Sequence, residues 1–135
     1  MNHTIAESKE FCSHSADMIK LAAEKGIDIG VAPSYLSLQT VKENAGNMIV
    51  AAQDCHFADH GAYTGFVSIP MIKELGIDWC LVGHSERRLY AAETSLTCNR
   101  KIKALIENKM TVVYCVGESL ADFESGRTKS IVKEQ

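Results

Sequence analysis

The residues best placed to do chemistry follow a short apolar run that ends in a glycine. The stretch CLVGHSERRLYAAET, residues 80–94, presents His84 directly after Gly83, with Ser85 and Glu86 next. An imidazole can donate a hydrogen bond or transfer a proton near neutral pH, so His84 is the first candidate for a residue with a chemical role. A histidine taken by itself more often caps a turn or packs in the core, and this alternative stays open until the surrounding motifs are considered.

A metal site is the main competing chemistry. His56 and His60 are four residues apart, a spacing that would place both imidazoles on one face of a helix. Three further potential ligands lie nearby, namely Asp54, Cys55 and Asp59. The adjacent Gly61 favours irregular backbone instead of a helix. We therefore predict neither a metal ion nor a cofactor.

Composition and charge restrict the classes of partner. The 135 residues include 14 Lys and Arg against 17 Asp and Glu, for a net charge of −3. Nucleic acids and anionic membrane surfaces attract concentrated basic faces, which this balance argues against. The N-terminal stretch MNHTIAESKEF is polar, and we expect neither a signal peptide nor a membrane-spanning segment.

The cysteines indicate a reducing compartment. They are five in number and widely spaced, at Cys12, Cys55, Cys80, Cys98 and Cys115. An odd set without secretory features is most simply a set of free thiols in the cytoplasm. Cys80 and Cys115 lie within apolar runs, where cysteine usually behaves as a small buried hydrophobic residue.

The elements that must position His84 alternate along the chain. Helix-like periodicity and short apolar runs follow one another, which is typical of a parallel sheet covered by helices. Gly26 ends the first helix, and Ser34 and Thr94 are candidate N-caps. Strands are predicted at 27–33, 47–53, 77–83 and 110–117, and helices at 5–25, 34–44, 69–76, 94–108 and on both sides of Gly126. A short charged helix is expected directly after His84.

Two features favour a barrel over a doubly wound open sheet. No glycine-rich dinucleotide or phosphate-binding fingerprint follows a strand. The unusual polar residues stand at the carboxyl ends of strands, where barrel enzymes place their chemistry: Pro33-Ser34, Gln53-Asp54 and His84-Ser85-Glu86. The predicted fold class is α/β, a parallel (β/α)₈ barrel represented by an incomplete part with about four strands. We expect one domain over residues 1–135 without a linker, although a full barrel needs about 250 residues.

Four stretches together resemble the triosephosphate isomerase family. They are VGHSERRLYAAET, AAQDCHFADHGAYTGFVS, CVGESLADFESGRTKSIVKEQ and MNHTIAESKEF, in family order and spacing. The resemblance covers essentially the whole chain and corresponds to units two to five of the family's TIM barrel. It implies a cofactor-free, cytoplasmic, homodimeric enzyme of glycolysis and gluconeogenesis. That enzyme interconverts dihydroxyacetone phosphate and glyceraldehyde 3-phosphate through an enediolate.

The resemblance also implies residue roles at the charged motif. His84 matches the family's neutral electrophile, while Glu86 and Ser85 match residues that support it. An acid and a serine in the first turn of a helix are also favourable for the helix alone. The family's catalytic lysine and glutamate, and its phosphate-binding loops, match no position of these 135 residues. We therefore expect no substrate-binding residue here and no activity of the chain alone. The alternative is a non-catalytic half-barrel that associates with itself or with a complementary chain.

A second set of residues matches the family's subunit interface. Its members are Tyr63, Thr64 and Gly65 in the GAYTG loop tip, and Arg87. A glycine-bounded surface turn is the simpler interpretation of that loop. Phe66 stands where the family usually has an acidic residue that pairs with the arginine matching Arg87, so the ion pair is in doubt. Asp54 replaces the commoner asparagine.

Overall fold

A parallel sheet of four strands forms the centre of the fold. The computed structural model of the chain describes residues 2–135. The strands are β1 (Gly30–Val31), β2 (Ile49–Ala52), β3 (Trp79–Val82) and β4 (Thr111–Tyr114), in the spatial order β1-β2-β3-β4. All neighbouring pairs are parallel, with Ala52 beside Cys80 and Val82 beside Tyr114. A doubly wound sheet would reverse its strand order at a switch point. The sequential order confirms the predicted partial barrel.

Helices connect the strands and precede the first one. Within residues 2–135 they are α1 (Ile5–His14), α2 (Ala16–Glu24), α3 (Tyr35–Asn44), α4 (Ile69–Glu74), α5 (Ser85–Tyr90), α6 (Ser95–Glu107), α7 (Leu120–Glu124) and α8 (Thr128–Glu134). The predicted N-cap Thr94 is confirmed, because it forms a reciprocal capping box with Thr97. Ser34 occupies the N-cap position of α3, but its side chain makes no capping hydrogen bond. The strand predicted at 27–33 is reduced to the two residues of β1.

The single helix predicted over residues 5–25 is wrong. Ser15 separates α1 from α2, and its hydroxyl donates to the Phe11 carbonyl at 2.7 Å. A serine that bonds to the carbonyl four residues earlier competes with the helical pattern and bends helices. The periodicity of this segment predicts an apolar face of six residues, of which three are at least half exposed, namely Ile5, Met18 and Leu21. The other three are confirmed, because Phe11 and Ile19 pack against the core and Ala22 is buried. The helix α1 packs on α3, and its Cys12 belongs to the core.

The two faces of the sheet differ sharply in burial. Cys80 and Val82 of β3 are completely buried among the core residues. Trp79 and Leu81 alternate with them and line an open apolar face, where a cavity of about 250 Å³ also contacts Val113 of β4. Successive strand side chains point to opposite faces. One face is therefore covered by helices, and the other has no covering layer within residues 2–135.

The buried core lies between the sheet and its helices. Its largest fully buried side chains are Leu38, Ile69, Ile72, Ile77 and Leu105. Burying one such side chain stabilises the fold by about 1.5–3 kcal/mol. The five cysteines are free, as predicted, and burial raises the pKa of the Cys98 thiol. No helix of residues 2–135 has the length and apolarity needed to cross a membrane.

Candidate functional site

The chain turns directly from β3 into the helix that carries the charged motif. His84 is the N-cap residue of α5, and its Nδ1 accepts a hydrogen bond from the Glu86 backbone N–H at 3.3 Å. A ring nitrogen that accepts a hydrogen bond carries no proton, so the proton of the neutral imidazole resides on Nε2. The expected short charged helix after His84 is confirmed. The capping bond leaves a single Nε2–H donor available to a ligand.

Glycine is required before this histidine. Gly83 has a φ of +78°, a left-handed conformation that side chains disfavour. A Cβ at this position would lie 3.0 Å from Nη2 of Arg88 and from Cε2 of Tyr114, and 3.1 Å from the Cys115 carbonyl oxygen. The backbone of β3 and the neighbouring strand therefore approach each other closely at the base of the site.

A cavity with both polar and apolar walls adjoins His84 at the carboxyl ends of β3 and β4. It measures about 240 Å³ and is lined by Gly83, His84, Ser85, Arg88 and the residues from Cys115 to Glu118. The amide of Gln135 fastens one wall, since it both donates to and accepts from the Gly117 backbone at 2.8 Å. This end of a parallel α/β barrel is where ligands bind. The cavity is therefore the candidate functional site.

Ser85 and Glu86 both lie in the first turn of α5. Ser85 is exposed, and the capping role considered for it belongs to His84 instead. The Glu86 side chain is 73% exposed, with Oε2 3.7 Å from Nδ1 of His84. Its negative charge is favourable at a helix N-terminus. The supporting roles implied for these two residues stay predictions.

A buried cluster of four charges lies behind the site, and sequence reasoning missed two of its members. Asp54, Glu93 and Lys101 are 3%, 8% and 4% exposed, and Arg87 is half-buried. Nζ of Lys101 contacts Oδ1 of Asp54 at 2.6 Å and also the Glu93 carboxylate. Nη2 of Arg87 lies 2.8 Å from Oδ2 of Asp54. Two cations thus balance two carboxylates, as buried charges require.

The sequence contains a signal that identifies Lys101 as a buried charge. Lys101 follows Cys98 by three residues and precedes Leu105 by four, so it occupies the buried stripe of α6. A lysine on such a stripe needs an anionic partner. Nothing local identifies Asp54, 47 residues away in sequence, as that partner.

Burial and pairing act in opposite directions on this cluster. Burial raises the pKa of the Asp54 carboxyl, although the hydrogen bond from Lys101 and the nearby cations oppose the rise. Burial would lower the pKa of Lys101, but its hydrogen bonds to Asp54 and Glu93 outweigh this effect and raise it. We infer that Lys101 is charged at neutral pH because both partners favour its protonated form.

The five-residue set considered for a metal does not gather. Among residues 2–135, no three His, Cys, Asp or Glu side chains are placed to hold a metal ion. His56 is buried against aromatic rings, whereas His60 is exposed, and the backbone between them is irregular. Asp54 faces the cluster with Lys101.

Comparison with known proteins identifies the family of the chain. The sequence model of the triosephosphate isomerase family matches residues 1–135, the whole chain. The chain belongs to the triosephosphate isomerase family. The triosephosphate isomerase of Chlorobium chlorochromatii is 42% identical over 139 residues, a match that covers 100% of this chain and 54% of the relative.

Two further triosephosphate isomerases show the same pattern. The Alkaliphilus metalliredigens protein is 38% identical over 137 residues, which cover 100% of this chain and 54% of the relative. The Mycoplasma capricolum protein is 46% identical over 109 residues, covering 81% of this chain and 44% of the relative. The chain therefore spans about half the length of the curated relatives it matches.

The loop that resembles the family's interface segment protrudes from the molecule. Its tip, formed by Tyr63, Thr64 and Gly65, is exposed. A parallel bridge between His56 and Ser68 closes the base of the loop. The His56 ring contacts Tyr63 with 4.0 Å between ring centroids and Phe66 with 4.8 Å. Phe66, which is about half exposed, thus contacts the His56 ring at the base of the loop. Contact with a second subunit stays a prediction.

Arg87 finds its carboxylate within its own chain. Because Phe66 carries no charge, the triosephosphate isomerase pattern left this arginine without an expected partner. Asp54 takes that place at 2.8 Å, and Oε2 of Glu93 lies 3.6 Å from Nε of Arg87. The replacement of the commoner asparagine by Asp54 is therefore more consequential than the sequence indicated.

Proposed function

We propose that this chain forms the electrophile-bearing half of a triosephosphate isomerase. The reaction interconverts dihydroxyacetone phosphate and glyceraldehyde 3-phosphate in glycolysis and gluconeogenesis. The observation that carries the proposal is the Glu86 N–H bond to Nδ1 of His84, which leaves the Nε2–H as a donor beside the cavity. The family membership of the whole chain supports the same conclusion.

His84 acts on the oxygens of the substrate. A carboxylate base removes a proton from the carbon beside the carbonyl group, and negative charge develops on the carbonyl oxygen. The Nε2–H of His84 donates to that oxygen and stabilises the enediolate. The same ring then carries a proton between the two oxygens, and the base returns its proton to the neighbouring carbon. By the family resemblance, the base and the phosphate-binding groups belong to barrel units other than those in these 135 residues.

Glu86 and Ser85 support the electrophile in this proposal. Glu86 contributes through its backbone N–H, which holds the ring, and its exposed carboxylate remains free to contact a cation from another part of the barrel. The contact with a second subunit of a homodimer is formed by Tyr63, Thr64, Gly65 and Arg87. The five free thiols fit a cytoplasmic location.

The test joins this chain to the parts it lacks relative to the family. Residues 1–135 replace the corresponding segment of the Chlorobium chlorochromatii triosephosphate isomerase, and turnover is measured with a coupled assay. We expect turnover by the chimera and none by the 135-residue chain alone. His84→Gln in the chimera should lower kcat about 10²–10⁴-fold. The matched control is His14→Gln, at an exposed position of α1.

Two results would contradict the proposal. A folded chimera without turnover would show that this chain does not supply a working electrophile. Equal activities of the His84→Gln and His14→Gln chimeras would remove His84 from the chemistry. Turnover by the isolated chain that is lost on His84→Gln would overturn its expected inactivity.

A structural role is the second candidate function, because an open apolar face favours it. Trp79, Leu81 and Val113 line that face, and β1 and β4 each pair on one side only within residues 2–135. Unpaired edges and apolar faces drive association. Sedimentation of the 135-residue chain, together with the activity of the chimera, distinguishes the candidates. A stable dimer of the 135-residue chain, combined with a chimera that has no isomerase activity, would favour the structural role.

A further inference from the structure

Gly83 connects β3 to α5, and its backbone N–H and carbonyl take part in the hydrogen bonds of neither element. The sheet ladder ends at Val82, whose carbonyl accepts from the Cys115 N–H at 2.9 Å. The helix begins with the His84 carbonyl, which accepts from the N–H groups of Arg87 and Arg88. The N–H and carbonyl of Gly83 belong to neither pattern. Glycine is also the residue with the greatest backbone freedom.

Two charged side chains hold both polar groups of this link. The Gly83 N–H donates to Oε2 of Glu93 at 3.2 Å. Nε of Arg88 donates to the Gly83 carbonyl at 2.9 Å. Both peptide planes on either side of Gly83 are therefore fixed. Hydrogen bonds to ionised groups are stronger than those between neutral groups.

The two side chains are themselves anchored to other elements. Arg88 donates from Nη2 to the Tyr114 hydroxyl at 3.1 Å and from Nη1 to the Ser95 hydroxyl at 3.3 Å. Glu93 is held by Lys101 of the buried cluster. The guanidinium thus connects α5 to β4 and to the start of α6. A displacement of His84 would have to break contacts in three elements.

We propose that Arg88 and Glu93 are positioning residues for His84. The inference rests on the proposed function, since it concerns the electrophile of that reaction. The capping bond of the ring is long, at 3.3 Å, and depends on the direction in which the backbone delivers His84. Releasing Gly83 allows a rotation that breaks this bond. The ring then exchanges between its two neutral tautomers, and the Nε2–H donor is lost part of the time.

The test reads the tautomer of His84 directly in the 135-residue chain. Nitrogen-15 NMR at about pH 8.5, where an ordinary imidazole is neutral, separates protonated from unprotonated ring nitrogens. We expect a single Nε2–H tautomer in the wild-type chain and averaged nitrogen signals in Arg88→Gln. Tyr114→Phe, which removes one anchor of Arg88 without changing charge, should give partial averaging. Should Arg88→Gln not fold, Tyr114→Phe decides the question.

Arg100→Gln is the matched control, because Arg100 is an exposed arginine of α6 whose guanidinium lies over the Phe57 ring, 5.6 Å from its centroid, instead of against Gly83 or Glu93. Its loss removes the same charge and should leave the His84 tautomer unchanged. Averaging of equal extent in Arg100→Gln and Arg88→Gln would show a general effect of charge and overturn the proposal. An unchanged tautomer in folded Arg88→Gln or Tyr114→Phe would overturn it as well.

Turnover provides a second readout in the chimera. Arg88→Gln should lower kcat roughly 10–100-fold with KM changed by less than about threefold, because the interaction it supports is made in the transition state. An inactive chimera with the expected NMR pattern would refute the proposed function and leave the positioning role intact. An active chimera in which Arg88→Gln changes neither the His84 tautomer nor kcat would refute the positioning role alone.

Discussion

Lys101 shows how one residue can organise a region far from its own helix. Its ammonium group contacts the Asp54 carboxylate in the loop after β2 and the carboxylate of Glu93, the residue before the N-cap of α6. Glu93 in turn binds the backbone of Gly83, one residue before the candidate electrophile. Removing one member of a buried ion cluster leaves an uncompensated charge, which costs more than the pair itself contributes.

Lys101→Met should therefore destabilise the chain by about 3–5 kcal/mol, measured by urea unfolding at pH 7. Burial already raises the pKa of the Asp54 carboxyl, and this pKa would rise further without the opposing hydrogen bond from Lys101, so the folded state would bind protons more readily than the unfolded one. The loss of stability should accordingly shrink as pH falls toward 4. Lys103→Met, at an exposed position of the same helix, should change stability by less than about 0.5 kcal/mol. Equal effects of both substitutions on the free energy of unfolding would show that the buried charge cluster does not depend on Lys101.

At the scale of elements, α5 and α6 form one unit that faces the end of the sheet. The helix α5 begins at the ring of His84, and α6 begins two residues after Glu93. The capping box of Thr94 and Thr97 satisfies orphan N–H groups at the start of α6. This N-terminus sets the position from which Lys101 reaches the cluster two turns later.

Thr94→Ala should lower the free energy of unfolding by about 1 kcal/mol, because it removes the side-chain cap of α6. Thermal unfolding of the two variants Thr94→Ala and Thr94→Ser provides the comparison. Serine retains the hydroxyl and should restore nearly all of the lost stability. A serine variant as unstable as the alanine variant would show that the methyl group, and not the cap, is responsible.

At the scale of the whole molecule, the sheet has one covered face and one open face. Trp79 is the single tryptophan of the chain, and it lies on the open face with Leu81. In a barrel that face is filled by side chains from the other strands. The chain spans about half of its relatives' length, so the open face is where a complementary half would pack.

The fluorescence of Trp79 should report this packing. Acrylamide should quench it readily in the isolated chain, and a polypeptide with the complementary half of the Chlorobium chlorochromatii protein should protect it. Leu81→Lys should weaken association by about 2 kcal/mol, roughly 30-fold in Kd, because it buries an unpaired charge. Leu36→Lys is the control, since Leu36 is 84% exposed on α3. Association that tolerates both substitutions equally would place the contact elsewhere.

The sequence by itself determined the features that depend only on residues close to one another along the chain. The alternation of strands and helices, the Thr94 cap and the exit of His84 from a strand all follow from local pattern and capping chemistry. The break at Ser15 was missed because helical periodicity continues through it, while one hydroxyl bond to Phe11 bends the backbone.

Only the tertiary structure decided the partners of the charged residues. Arg87 and Lys101 meet Asp54 across 33 and 47 residues of sequence, and no local rule selects one carboxylate among the acids of the chain. The two hydrogen bonds that fix the backbone of Gly83 likewise depend on the fold, which brings Glu93 to its N–H and Arg88 to its carbonyl. Such contacts arise because buried charges and backbone groups must be satisfied by whatever the fold brings within reach.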